Sequence, residues 1–119
     1  MVGSVDKRRH HRLLALLDMK VLPAQGIPPD LKLATLDIGT GGARCASNHP
    51  LEEKSRLLVT FTLVGGSFRA PQPIDADAQV LRCASDPAAP PNRRYEVVLE
   101  FLRMDPRDKK RLQDYLNSL

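Results

Sequence analysis

The side chains best suited to chemistry form a cationic cluster, in which Lys7, Arg8, Arg9 and Arg12 lie within six residues. The chain has 18 Lys and Arg against 14 Asp and Glu, so this cluster could account for the whole net charge of +4. A planar guanidinium suits phosphate oxygens or the O6/N7 edge of guanine. The cluster therefore favours an anion-binding arm with a nucleotide-type partner, and a solvated, mobile tail is the alternative.

A carboxylate beside a glycine-rich turn follows about 25 residues downstream, in the segment 37–42 (DIGTGG). An Asp beside a glycine turn, such as Asp37, often caps backbone amides of the turn. The glycines are expected to permit positive φ and a close backbone approach. The turn lacks the Gly-Lys-Ser/Thr of an NTPase phosphate loop and the spaced G-x-G-x-x-G pattern.

Groups for catalysis or metal binding are few and scattered. Cys45 and Cys83 lie far apart without a C-x-x-C partner, and His10 and His11 are adjacent within the basic segment while His49 stands alone. No nucleophile elbow of the G-x-S-x-G type is present. We therefore expect no catalytic residue, no metal site, no disulfide framework and no cofactor.

Length and composition favour one ordinary globular domain, with 119 residues of which 42% are apolar and 27% charged. The longest apolar run, Leu13–Leu17, is far shorter than the ~20 residues that a membrane-spanning helix needs. We expect no membrane span and a cytoplasmic location. The expected organisation is a flexible basic arm over 1–12 and a single domain over 13–119.

The elements that must position these groups are mostly strands, because apolar residues alternate with polar ones between Gly- and Pro-rich turns. The segment LLALLDMKVL fits a helix as well as a strand, and its context favours a strand. A Pro-rich loop, SDPAAPPN, separates the last two strands. The predicted strands are Leu13–Leu22, Leu31–Ile38, Ala43–Ser47, Leu57–Val64, Ile74–Val80 and Tyr95–Phe101.

At the end of the sequence the spacing of the apolar residues changes from that of a strand to that of a helix. Asp105 can cap a helix, Pro106 can take its first position, and four apolar residues then recur at helical spacing. These are Leu112, Tyr115, Leu116 and Leu119. We expect an amphipathic helix over about 105–118 whose apolar stripe closes an open end of the sheet, with a partner or dimer interface as the alternative.

The paired motifs resemble the signature of the PilZ domain family. The segment 8–12 (RRHHR) matches RxxxR, and 37–42 matches DxSxxG with one departure, Gly39 in place of serine. The resemblance continues to the tyrosine-led strand YEVVLEFLRM and the final helix, so it covers nearly the whole chain. It implies an all-β fold, a six-stranded antiparallel β-barrel with a C-terminal helix, that binds cyclic di-GMP under a folding arm.

The resemblance also implies the site residues. Arg8 and Arg12 would donate to phosphates or guanine edges, with Arg9 as a third donor, and Asp37 would accept from guanine. This role requires a solvent-facing carboxylate on the side of the arm. Gly42 would let the backbone approach the ligand. The absence of a serine hydroxyl at Gly39 should weaken binding about fivefold, because one neutral hydrogen bond contributes roughly 1 kcal/mol.

Three functions are compatible with these features. The first is a cyclic di-GMP receptor that orders its arm on binding and signals through an unidentified downstream protein. The second, motivated by Gly39, is a PilZ-fold adaptor that does not bind the nucleotide. The third is a nonspecific nucleic-acid binder, which the three Phe, two Tyr and absence of Trp disfavour because few rings remain to stack bases. No sequence-specific nucleic-acid partner is expected.

Overall fold

A computed structural model describes residues 17–64 and 71–118, which form a closed antiparallel barrel and a helix. The strands lie in the order β1-β2-β3-β6-β5-β4, and β1 pairs with β4 to close the barrel. This confirms the predicted six-stranded antiparallel β-barrel with a C-terminal helix. The elements are β1 (Asp18–Val21), β2 (Leu33–Ile38), β3 (Gly42–Ser47), β4 (Arg56–Leu63), β5 (Gln72–Ser85), β6 (Tyr95–Met104) and α1 (Pro106–Asn117).

The barrel interior is filled by the apolar residues that alternate along each strand. In β4 the buried residues are Leu57, Val59, Phe61 and Leu63, while the residues between them are at least partly exposed. Their side chains are large or β-branched, which suits a pleated surface with one buried face. Phe61 stacks on Phe101 of β6 with ring centroids 5.7 Å apart. The period of two therefore predicted the inner face of β4 correctly.

The first strand is shorter than predicted. The expected strand Leu13–Leu22 is observed as Asp18–Val21, and its residues 13–16 lie outside the described part of the chain. Just before β1, the backbone N–H of Leu17 donates to Oγ1 of Thr35 at 2.9 Å, and the N–H of Thr35 donates to the Leu17 carbonyl at 2.9 Å. These two bonds fix the entry of the chain into the barrel beside β2.

The fifth strand is longer than predicted, because it continues past Val80 to Ser85. A register shift between Val80 and Arg82 inserts an extra residue opposite β6 and breaks the alternation there. The pairing then continues to Ser85 opposite Tyr95. The predicted Pro-rich loop is confirmed between these strands, and it contains a short 3-10 turn over Pro91–Arg93.

The helix α1 begins and packs as its sequence predicts. The side chain of Asp105 accepts a hydrogen bond from the Arg107 backbone N–H at 2.8 Å, and Pro106 occupies the first turn. Leu112, Tyr115 and Leu116 are buried in the same apolar cluster as the barrel residues. The Tyr115 hydroxyl donates to the Val64 carbonyl at 3.2 Å, next to the end of β4. The described part of the chain contains no helix of the length and apolarity that crossing a membrane requires.

Candidate functional site

A β-bulge in β2 sets the direction of Asp37. Thr35 and Ile38 are both buried inside the barrel although they are three residues apart, which a regular strand with a period of two does not allow. The pairing with β3 shifts between Thr35 and Asp37, so Leu36 is the extra residue. Asp37 is consequently paired with Arg44, whose neighbours Ala43 and Cys45 are buried in the core. Both side chains therefore belong to the outer face of the barrel.

The Asp37 carboxylate forms an ion pair with Arg44. Nε of Arg44 donates to Oδ2 of Asp37 at 2.9 Å, and Nη1 of Arg44 reaches Oε1 of Glu96 at 3.5 Å. The hydrogen bond from Arg44 to Asp37, and then the negative charges of Asp37 and Glu96, raise the pKa of the guanidinium above its ordinary value. The result is a permanently charged Arg44 held between two carboxylates on β2 and β6.

The open carboxylate that the DxSxxG match predicts is not what the structure has. The Asp37 side chain is 13% exposed, whereas Arg44 is 40% exposed and Glu96 is 39% exposed. Protein therefore covers most of Asp37, and the guanidinium is the more accessible member of the pair. The bond at 2.9 Å allows Asp37 to orient Arg44, and the role of Asp37 as an acceptor for guanine stays a prediction.

The glycine turn has a packing function of its own. The Gly39 N–H donates to the Gly42 carbonyl at 2.9 Å, which closes the turn between β2 and β3. A Cβ atom on Gly42 would lie 2.2 Å from the carbonyl oxygen of Leu99 in β6, so only glycine allows β3 and β6 to approach this closely. The predicted close approach is thus found against the neighbouring strand.

The expectation of positive φ in this turn is wrong. Among the glycines of the described ranges, only Gly26 has a positive φ, of 85°. Gly39, Gly41 and Gly42 therefore adopt backbone conformations that other residues can also adopt. Glycine is needed at position 42 because a Cβ atom there would collide with the Leu99 carbonyl. At position 39 the φ angle does not require glycine.

The cationic cluster cannot be placed. Arg8, Arg9 and Arg12 lie outside the described residues, so their roles stay predictions. What the structure fixes is the point where this segment joins the barrel, at Leu17 beside Thr35. Thr35 is two residues before Asp37 on the same strand. Because β1 and β2 are antiparallel, the chain preceding Leu17 is attached at the end of β1 that is nearer to Asp37.

Arg44 is the site residue that motif matching missed, since it belongs to neither motif. The turn could have identified Arg44. Once Gly39 and Gly42 close the turn, the antiparallel register places Ile38 opposite Ala43 and Asp37 opposite Arg44. Alternation in β3 points the same way. Arg44 lies between the small apolar residues Ala43 and Cys45, which predicts an outward guanidinium.

The described residues offer little to a metal ion or a nucleophilic mechanism. No group of three His, Cys, Asp or Glu side chains in the described ranges is placed to hold a metal. Cys45 is buried, and burial together with the negative charge of Asp37 raises the pKa of its thiol to about 12. A thiol with such a pKa is not a nucleophile near neutral pH.

Solved structures of known proteins share this fold. One is the Bacillus subtilis inhibitor of motility MotI/DgrA, with a TM-score of 0.73 and 21% identity over 93% of this chain, which spans only 50% of that protein. Another is the PilZ domain with cyclic di-GMP of YcgR from Escherichia coli, with a TM-score of 0.68 and 17% identity over 95% of this chain and 91% of that domain. None of the curated proteins matches the chain.

Sequence identities this low show only that the fold is shared. Family membership is therefore decided by the comparison with models of protein families. The family model described as the PilZ domain matches residues 6–118. The match extends from the cationic cluster through the barrel to the last turn of α1. The chain therefore belongs to the PilZ domain family.

Proposed function

We propose that this chain is a receptor for cyclic di-GMP, which binds on the outer wall of the barrel around Asp37 and Arg44. Its cationic arm supplies Arg8, Arg9 and Arg12, and the ordered arm passes the signal to another protein by contact. Membership of the PilZ family supports the ligand, as does the cyclic di-GMP in the structure of the YcgR domain. The cytoplasmic location expected from the sequence belongs to the same proposal.

The observation on which the proposal depends is the attachment of the arm beside Asp37. Arg12 is five residues before Leu17, so its Cα lies within about 18 Å of Leu17 even in a fully extended chain. Leu17 is bonded to Thr35, and Asp37 follows two residues later. The covalent chain thus keeps Arg12, the arginine of the arm that is nearest to the barrel in sequence, within reach of the wall that holds Arg44.

The barrel contributes a charged donor, and Asp37 fixes its orientation. Arg44 is accessible and can donate to a phosphate oxygen or to the O6/N7 edge of a guanine through its Nη groups. Asp37 holds the Nε side of the same guanidinium. A direct bond from Asp37 to guanine then requires movement of the groups that cover the carboxylate. In this proposal Gly39 and Gly42 shape the turn beneath the ligand.

The charges are sufficient for moderate binding. Charge-assisted hydrogen bonds contribute about 2 kcal/mol each, and four of them reach the roughly 8 kcal/mol of a micromolar complex. Stacking of the guanine rings adds to this sum, and ordering of the arm subtracts from it. Weak to moderate micromolar affinity follows from these terms. No catalytic step is part of the proposal.

Gly39 motivates one alternative, a PilZ-fold adaptor that acts only through protein contacts. A nonspecific nucleic-acid binder is the other, because the net charge of the chain is +4. Such a binder would lose affinity steeply with salt for every oligonucleotide and would be indifferent to Asp37→Ala. The adaptor would give no heat with any nucleotide.

Isothermal titration calorimetry at low salt separates these functions. The receptor binds cyclic di-GMP and binds cyclic di-AMP much more weakly, and Arg12→Ala and Arg44→Ala each weaken binding about tenfold or more. Arg56→Ala is the matched control, because Arg56 is exposed at the start of β4, which is three strand positions from β3 in the closed barrel. Absence of heat with cyclic di-GMP for the folded wild-type chain would refute the receptor.

A further inference from the structure

The wall that holds Asp37 and Arg44 continues across two more strands of the barrel. Arg44 on β3 lies opposite Val98 on β6, and Val98 lies opposite Arg82 on β5. Arg82 is exposed, whereas the adjacent Cys83 packs on the barrel core, so Arg82 belongs to the outer face. Neighbouring strands are about 4.8 Å apart, so the Cα atoms of Arg44 and Arg82 are about 10 Å apart. One guanidinium therefore stands on either side of Val98.

Val98 provides an apolar surface between these two cations. Val97 and Leu99 on either side of it are buried, so Val98 faces outward, and it is half-buried. The pairing of β5 with β6 shifts at Leu81, which adds a second apolar side chain, 50% exposed, next to Arg82. A flat ring laid on this surface would remove apolar area from water on both partners. The surface therefore suits a planar group whose edges are polar.

Glu100 is an accessible carboxylate on the same face. It is exposed and follows Val98 by two residues on β6, so the two side chains point the same way. On one side Glu100 lies opposite Gly42, which has no side chain, and on the other it lies opposite the neutral Gln79. Glu100 is therefore next to the glycine turn of the DxSxxG match. We call Val98, Arg82 and Glu100 together the Val98 surface.

The charges of the Val98 surface are not used within the barrel. Arg44 is already bonded to Asp37 at 2.9 Å and contacts Glu96 at 3.5 Å. Among the ion pairs of residues 17–64 and 71–118, none includes Arg82 or Glu100. These two charges are opposite in sign, so the surface is not a site for a bare anion. It is suited to a group that presents both hydrogen-bond donors and acceptors.

We propose that the Val98 surface binds one guanine of cyclic di-GMP. The base lies on Val98, its N1–H and N2–H₂ groups donate to the Glu100 carboxylate, and its O6 and N7 atoms accept from Arg82. Glu100 is displaced from Val98 along the strand and Arg82 across the sheet, so they approach the ring from two perpendicular directions. The donor and acceptor edges of guanine are adjacent and match these directions. This inference rests on the proposed function and adds the residues that select the base.

The same two residues disfavour adenine. Adenine presents an acceptor, N1, where guanine presents the N1–H donor, and a carboxylate has only acceptors to offer it. At the other edge the N6–H₂ donor of adenine would face the donors of Arg82. A site built to bond an N–H group rejects an analogue that lacks it, because the buried polar groups stay unpaired. Glutamine at position 100 would instead offer one donor and one acceptor, which fits adenine.

The test is calorimetry of the full chain with cyclic di-GMP and with cyclic di-AMP at one low salt concentration. Glu100→Gln should weaken cyclic di-GMP binding about tenfold and strengthen cyclic di-AMP binding, so that the ratio of the two affinities falls more than tenfold. Arg82→Ala should weaken cyclic di-GMP binding about tenfold and leave cyclic di-AMP binding nearly unchanged. A merely structural role of either residue would lower both affinities together.

Matched controls carry the same changes elsewhere on the surface. Glu53→Gln removes an exposed carboxylate in the loop between β3 and β4, and Arg56→Ala removes an exposed guanidinium on β4. Both should leave the two affinities unchanged. Circular dichroism checks that each variant is folded.

Three results would overturn the inference. If wild type binds cyclic di-GMP and Arg44→Ala weakens it, but Glu100→Gln and Arg82→Ala do not change the selectivity, the Val98 surface is refuted and the proposed function stands. If Glu96→Gln shifts the selectivity in place of Glu100→Gln, the acceptor is Glu96. Absence of cyclic di-GMP binding by the folded wild-type chain would refute the proposed function and this inference together.

Discussion

Arg44 and Asp37 face each other across the β2–β3 hairpin, and Nε of Arg44 donates to Oδ2 of Asp37 at 2.9 Å. The bulge at Leu36 makes this pairing possible, because without it Asp37 would be on the same face as the buried Thr35. The two residues should therefore act as a unit in the proposed binding of cyclic di-GMP.

A double-mutant cycle tests this coupling. Arg44→Ala removes a group that donates hydrogen bonds to the ligand, and Asp37→Ala leaves this group without the residue that orients it. The double variant should therefore bind no more weakly than Arg44→Ala alone. The unfolding free energy should change by only about 1 kcal/mol for the pair, because Arg44 is too exposed for a strong ion pair. Calorimetry and urea unfolding of the four proteins measure both quantities, and strictly additive losses of binding would contradict the shared role.

Gly39→Ser should strengthen cyclic di-GMP binding about fivefold. The substitution restores the serine of the DxSxxG pattern, and one neutral hydrogen bond contributes roughly 1 kcal/mol. Gly39 does not have a positive φ, so its backbone dihedral angle does not exclude serine there. Gly39→Ala is the matched control, because it adds the Cβ without the hydroxyl. Equal affinity of the Ser and Ala variants would show that the hydroxyl does not reach the ligand.

Gly42→Ala should destabilise the barrel by about 1–3 kcal/mol, the usual range for overpacking. Its Cβ would lie 2.2 Å from the Leu99 carbonyl oxygen, so β3 and β6 must separate to admit it. Gly41→Ala is an internal control one residue away, since a Cβ there meets nothing within 4 Å. Urea unfolding of both variants makes the comparison, and equal stabilities would mean that the strand pair adjusts without cost.

The elements of the fold were predictable because each strand has an apolar inner face that must be buried. Leu57, Val59, Phe61 and Leu63 alternate without interruption, and a period of two leaves only one way to bury them. The start of α1 was equally clear, because Asp105 and Pro106 provide a cap and a first turn. In both cases the deciding interactions are local in sequence.

The bulges and the covering of Asp37 were not predictable, because they depend on pairing between strands. The shift at Leu36 is determined by the fit of β2 against β3, and the extension of β5 beyond Val80 by its fit against β6. Motif matching treated Asp37 as an isolated acceptor. Its partner Arg44 becomes apparent only when the hairpin register is counted outward from the turn.

The two cysteines should differ sharply in reactivity. Cys45 is buried and its pKa is raised to about 12, whereas Cys83 is partly exposed. A maleimide near pH 7 should label one thiol per native chain and two after denaturation, as read by intact mass. Cys83→Ala should abolish native labelling. Rapid modification of Cys45 in the native Cys83→Ala variant would show that the barrel opens around β3.

The cap of α1 should make stability depend on pH in the acid range. The hydrogen bonds from the Arg107 backbone and side chain lower the pKa of Asp105 below its ordinary value of 3.8. A carboxyl group whose pKa is lower in the folded state stabilises that state above the unfolded pKa. This contribution is lost as the pH falls through the folded pKa.

Asp105→Asn keeps a capping oxygen but removes the titration. Its deficit in unfolding free energy relative to wild type should be largest near neutral pH and should shrink on acidification below about pH 4. Urea unfolding across this range measures the difference. Asp114→Asn, at the other end of the same helix, controls for the loss of a negative charge, because Asp114 is paired with Lys110 at 3.5 Å and caps nothing at the N-terminus. A deficit for Asp105→Asn that is independent of pH would mean that the charge of Asp105 does not contribute to the cap.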